Sequence, residues 1–157
     1  MNRSHSGMRR AAKDYPSQKK REPFPFVLEE LTSLRPTIKH MFGMTSIYFD
    51  DKLLCSLRDS PKQPGSNGVW LYTTREHIDS LAREFPGLSK RQLWRSRASN
   101  KAWIILASRL ENFEEYALKA CELILRGDQR IGRLSRAVET GVSNWVGVGR
   151  RIRNREQ

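Results

Sequence analysis

The sequence predicts an α+β domain. It is an antiparallel β-meander sheet with helices on one face, in the order α-β-β-β-β-α-β-α, flanked by basic disordered tails. Three observations carry this. Between residues 37 and 72, short segments of alternating or β-forming residues are joined by turn-rich links. Two stretches with helical apolar spacing follow, at 78–85 and 113–124, with one strongly apolar segment between them. Most of the excess positive charge lies outside this region, at the two ends of the chain.

The ordered part opens at Pro23 and Pro25. Val27, Leu28, Leu31 and Leu34 recur at helical spacing, and Glu29 and Glu30 suit the positive end of the helix dipole. Pro36 stops this helix at Arg35 or before. Residues 37–41 and 45–49 read as two strands, with Gly43 supplying a bulge or sharp bend between them. Asp50 and Asp51 form a turn, after which Leu53, Cys55 and Leu57 alternate on one strand face. Residues 59–68, DSPKQPGSNG, are a loop, and Val69, Trp70, Leu71 and Tyr72 are strong β formers.

Thr73 and Glu76 have capping-box spacing, with Thr73 as N-cap of a helix that carries Ile78, Leu81, Ala82 and Phe85 on one face. Pro86 and Gly87 end it, and residues 87–101 are irregular or a short helix. Residues 103–106, WIIL, form the most apolar strand. Asn112 caps the last helix with Glu115 at N3. Phe113, Tyr116, Ala117, Ala120, Leu123 and Ile124 make its apolar stripe, and Gly127 stands where a C′ glycine belongs. With the helices on one face, the other sheet face is left solvated or used for binding.

The 157 residues divide into a basic disordered tail at 1–23, a domain at 24–133 and a basic mobile tail at 134–157 that contains Trp145. The formal net charge is +12. Residues 1–23 hold seven basic and two acidic residues and residues 127–157 hold seven and three, whereas residues 24–126 are nearly balanced at fifteen to twelve. Attraction to polyanions is therefore added to the fold by its ends. No apolar run reaches the length of a membrane span and no signal-peptide core is present, so a cytoplasmic protein with no membrane contact is expected. Cys55 and Cys121 sit among apolar neighbours with no CxxC spacing, and read as reduced, buried thiols.

Four passages carry a family resemblance. They are His40-Met41-Phe42-Gly43 followed by Ser46-Ile47-Tyr48-Phe49-Asp50-Asp51-Lys52-Leu53; Gly68-Val69-Trp70-Leu71-Tyr72-Thr73; Ser99-Asn100-Lys101-Ala102-Trp103-Ile104; and Phe113-Glu114-Glu115-Tyr116 with Gly127-Asp128. On these, residues 36–133 resemble the TfoX N-terminal domain family and the related MmcQ/YjbR-like proteins. The chain departs from that pattern at Met44, at Asp51 and in the longer 59–68 loop. The resemblance implies a small bacterial α+β protein. It carries over no competence function, because no partner domain of the TfoX kind follows.

No phosphate-binding, dinucleotide-binding, zincin or nucleophile-elbow motif occurs. His5, His40 and His77 are scattered, Asp50 and Asp51 serve a turn, and Glu29, Glu30, Glu114 and Glu115 lie in first helical turns. The expectation is no catalytic residue, no metal and no cofactor. One constellation stands out. Residues 87–101, GLSKRQLWRSRASNK, offer Lys90, Arg91, Arg95, Arg97 and Lys101 for phosphates, Trp94 for a base, and Ser89, Ser96 and Ser99 as hydroxyl donors. The plain alternative is a solvated loop pinned by Leu88, Leu93 and Trp94. Arg9-Arg10, Lys19-Lys20-Arg21 and the Arg150–Arg155 cluster add cationic arms.

The reading is a non-enzymatic protein that binds DNA or RNA non-specifically through the basic loop and tails, with a regulatory role. The competing reading is a protein-interaction or small-ligand module that uses an aromatic sheet face of Tyr48, Trp70, Tyr72 and Trp103. Burial of all four rings beneath helices would remove that surface.

Overall fold

The computed structural model describes residues 21–134. Of the expected tails at 1–23 and 134–157, residues 1–20 and 135–157, Trp145 included, lie outside the described residues.

Helix α1, Pro25–Glu30, starts on a proline whose fixed φ suits the first helical position. The expected continuation through Leu34 tightens into a 3-10 turn, Thr32–Leu34. Thr32 Oγ1 donates to Leu28 O at 3.0 Å, and Pro36 bars Arg35 from helical geometry.

Strands β1, Thr37–Met41, and β2, Met44–Phe49, join through Phe42 and Gly43 at φ 54° and 72°. Two left-handed residues in a two-residue loop make a type I′ hairpin, whose twist matches that of its strands. Gly43 therefore serves a hairpin turn and not a bulge. The bulge falls further on, where the β2–β3 register shifts between Ile47 and Tyr48. Asp50 and Asp51, at φ 50° and 64°, make a second hairpin into β3, Lys52–Arg58.

Arg58 braces the following loop by donating to Lys62 O, Gln63 O and Asn67 Oδ1. Strand β4 is Gly68–Thr74. A Cβ on Gly68 would lie 2.0 Å from Leu106 O, so only glycine permits this approach to the neighbouring strand.

The expected capping box at Thr73 does not form. Thr73 is buried inside β4, where its hydroxyl donates to Arg130 O, and α2, Ile78–Ala82, begins only after His77. Residues 87–101 contain a 3-10 turn at Lys90–Gln92 and also a strand that was not anticipated, β5, Leu93–Arg95. It lies along β6, Lys101–Ala107. Helix α3, Phe113–Leu125, starts where Asn112 was expected to cap it, although that side chain makes no capping bond. Gly127, at φ 74°, closes it, with its N–H on Ile124 O and that of Asp128 on Leu123 O. The two-residue β7, Arg133–Leu134, pairs with the start of β3.

The sheet order is β1-β2-β3-β4-β6-β5 with β7 on β3, and every pairing is antiparallel. The fold is thus the expected α+β meander, with two short strands added. Ile38, Ile47, Cys55, Leu71, Ile104 and Leu93 align in one row across six strands. Val27 and Leu31, Ile78 and Leu81, and Phe113, Ala117, Ala120, Leu123 and Ile124 from the helical layer join them in the core. Each buried Leu or Ile contributes about 1.5–3 kcal/mol. The main apolar core therefore lies on the helix side of the sheet, while the opposite face carries a smaller cluster in which Ser46, Ser56 and Tyr72 are buried.

Candidate nucleic-acid interface

Successive strand residues point to opposite sides of a sheet, so the core row assigns the rest. Ser46, Ser56, Trp70, Tyr72, Trp94, Trp103 and Lys101 alternate with core residues and fall on the face turned away from the three α-helices. Trp103 pairs with Tyr72 on one side and with Trp94 on the other. Its ring is stacked on Trp94 at 3.7 Å between centroids and 13° between planes. Trp70 lies on the diagonal, 5.6 Å away and 26° from parallel, and Tyr72 meets Trp103 edge-on at 6.0 Å. The three indoles form a continuous aromatic patch over β4, β6 and β5.

The patch is held from behind. Tyr72 is buried, and its hydroxyl donates to Ser56 Oγ at 3.0 Å, which in turn lies 2.8 Å from Ser46 Oγ. Burial raises the Tyr72 pKa above that of a free phenol, with the Ser56 bond and the Arg133 charge opposing it, so the hydroxyl keeps its proton. Trp70 Nε1 donates to Ser66 O at 2.8 Å. Trp94 is different. It lies on the sheet's edge strand and is 41% exposed despite the stack beneath it.

The rings that the sequence divided between two hypotheses thus share one surface. Tyr48 sits apart on β2, with Lys39 Nζ over its ring at 4.9 Å. Of the four rings expected on that face, Tyr72 is buried and Tyr48, Trp70 and Trp103 are half-buried.

The basic residues separate. Trp94 and Arg95 are adjacent and therefore face opposite ways. Arg95 turns to the helix side and forms an ion pair with Asp79 of α2. Lys101 shares the aromatic face, across from Thr74. Lys90 and Arg91 are exposed on the 3-10 turn, which Ser89 and Gln92 close by a capping box. Arg97 is exposed in the link from β5 to β6. There Ser96 Oγ accepts from the N–H groups of Ala98 and Ser99, and Ser99 Oγ accepts from that of Lys101. Of the three serines expected as phosphate donors, Ser89 donates to Gln92 Oε1, whereas Ser96 and Ser99 brace the loop as acceptors and keep their O–H groups as donors.

Arg133 was missed by sequence reasoning. Its guanidinium carbon lies 4.7 Å from the Tyr72 ring centre and 5.8 Å from that of Trp103. The only local hint was a lone Arg after Gly132 at the domain's end; its place depends on β7 joining the sheet. None of the seven strands carries Asp or Glu, whereas the three α-helices hold Glu29, Glu30, Asp79, Glu114, Glu115 and Glu122. The acidic residues of the secondary structure are thus sorted away from the aromatic face.

His40 Nε2 lies 2.7 Å from Glu22 Oε2, Thr45 donates to the other Glu22 oxygen, and His77 Nδ1 meets Thr74 Oγ1. Among the described residues, no group of three His, Cys, Asp or Glu side chains could hold a metal ion. A cleft of about 380 Å³ lies between the end of α3 and the β2–β3 hairpin, and two others lie beside α3 and the β1–β2 hairpin. None of these three is lined by Trp70, Tyr72, Trp94 or Trp103. Among the described residues no helix is long and apolar enough to cross a membrane. No family model, curated protein or solved structure matches the chain.

Proposed function

We infer that this protein is a non-enzymatic nucleic-acid-binding domain with a regulatory role. Its contact surface is the outer sheet face together with the basic 90–101 margin, and the cationic arms at the chain's ends reinforce it. The observation that carries this reading is Trp94. An indole stacked on its neighbour, 41% exposed at the edge of a sheet free of carboxylates, has Lys101 on the same face. Rings and cations on strands that carry no carboxylate suit a polymer of bases and phosphates. None of the three clefts described above opens on this face, whereas small ligands are usually held in a concave site. Kinship with the TfoX N-terminal and MmcQ/YjbR-like families, proposed from the same four passages, adds no activity to this.

The salt dependence of binding tests it. Arg95 is engaged by Asp79, so Lys90, Arg91, Arg97 and Lys101 are the cations left for phosphates. Changing these four to Ser should reduce the log–log salt slope for duplex DNA by about 3.6, at about 0.9 per contact. Arg95→Ser should move it by less than about 0.9. A slope unchanged by the four substitutions assigns binding to the arms, and a slope near zero for the full chain removes the reading.

A further inference from the structure

Resting on that reading, we propose that the outer face takes an unpaired strand, with bases stacking on the exposed side of the Trp94–Trp103–Trp70 patch. Three observations select this ligand over a duplex. First, stacking needs a base with an uncovered face. Inside a duplex every base is already covered above and below, so a protein ring gains nothing from it unless the base is flipped out.

Second, Trp94 is built as a platform. Trp103 lies against it at 3.7 Å and fixes the ring's plane, and among the described residues β5 ends the sheet, with no further strand beyond it. A ring already held in place loses little freedom when a base stacks on it. Third, the charge is right for a strand lying along the face. Lys101 flanks the patch, Arg133 lies over the Tyr72 and Trp103 rings, and Lys39 lies over Tyr48 further along, with no acidic residue on any strand. A flat face of side chains suits a splayed single strand, whereas reading the base edges of a duplex calls for a projecting element that enters a groove.

The test compares oligothymidylate and oligouridylate of about 12 nucleotides with a duplex of the same length, using the full chain at matched salt. Binding is read by anisotropy and by quenching of tryptophan emission. The expected result is at least about tenfold tighter binding of the single strands, with quenching. Trp94→Ala should weaken single-strand binding about 5- to 150-fold and change duplex binding less than about twofold, and Trp94→Phe should restore most of the loss. Far-UV circular dichroism confirms that each variant is folded.

Equal affinity for strand and duplex, indifferent to Trp94, overturns this proposal and leaves nucleic-acid binding standing. No binding to either overturns both. An emission change that follows protein concentration without oligonucleotide gives the face to a second copy of the chain, and also overturns it. So does duplex binding without any quenching by single strands, the result expected if the chain's own residues 135–157 occupy the face.

Discussion

Trp94 and Trp103 lie opposite each other across the β5–β6 pair, with ring centroids 3.7 Å apart and planes 13° from parallel. Offset or edge-on pairs contribute about 0.5–1.5 kcal/mol beyond the area they bury, and this nearly eclipsed pair belongs at the lower end of that range. Trp103 also touches Trp70 and Tyr72, so it is the hub and Trp94 the outer member. Trp103→Ala is expected to destabilise by about 3–5 kcal/mol and Trp94→Ala by about 1 kcal/mol. Urea midpoints for the two single variants and the double variant should give a coupling energy of about 0.5–1.5 kcal/mol. Additive effects would show that the rings merely sit side by side.

Arg130 joins the α3 exit to α2. Its guanidinium donates to Glu84 Oε2 at 2.8 Å, to both Asp128 oxygens at 2.9 and 2.6 Å, and to Ser80 O at 3.0 Å. Hydrogen bonding and charge from Arg130 hold both carboxyls below their ordinary range, against a smaller opposing effect of burial. A carboxylate with a lowered folded-state pKa adds stability that is present above its unfolded pKa and lost as the pH falls through the folded value. Arg130→Met should therefore be less stable than the parent at pH 7. The two stability curves should draw together as the pH falls below the ordinary carboxylate range of about 4 and on through the lowered folded-state values. Parallel curves over that range would deny the clamp any electrostatic role.

The two type I′ hairpins use residues with unequal tolerance for left-handed backbone. Asp51 stands at φ 64° and Phe42 at φ 54°, with Phe42 92% exposed. Relief of left-handed strain is worth about 1 kcal/mol per residue. Asp51→Gly and Phe42→Asn should each raise the urea midpoint by up to this amount, and Gly43→Ala, at φ 72°, should lower it. Unchanged midpoints for the first two would mean that the turns relax freely.

Strands β1 to β4 were legible because alternating apolar residues are punctuated by Phe42-Gly43, Asp50-Asp51 and a Pro/Gly loop, all local signals. β5 was not. Leu93-Trp94-Arg95 is too short to show alternation, and it becomes a strand only because the free edge of β6 accepts it. The Thr73–Glu76 capping pattern failed for a related reason. Thr73 pairs with Ala102 and Thr74 with Lys101, so the sheet outcompeted a locally adequate helix start. At the candidate site the residue types were visible but their grouping was not. Trp94 meets Trp103, and Arg95 leaves for Asp79, through the register of β5 on β6, which no spacing in the chain reveals.

The splayed end of the β3–β4 pair has a consequence for biosynthesis. Gly132 N–H donates to Tyr72 O, Thr73 donates to Arg130 O, and β7 lies along Lys52 and Leu53, so the last residues of the domain fill a gap opened far earlier in the chain. Translation delivers those earlier strands first. Until residues 130–134 are made, a nascent chain thus carries an unsealed wedge between β3 and β4 with unpaired peptide groups.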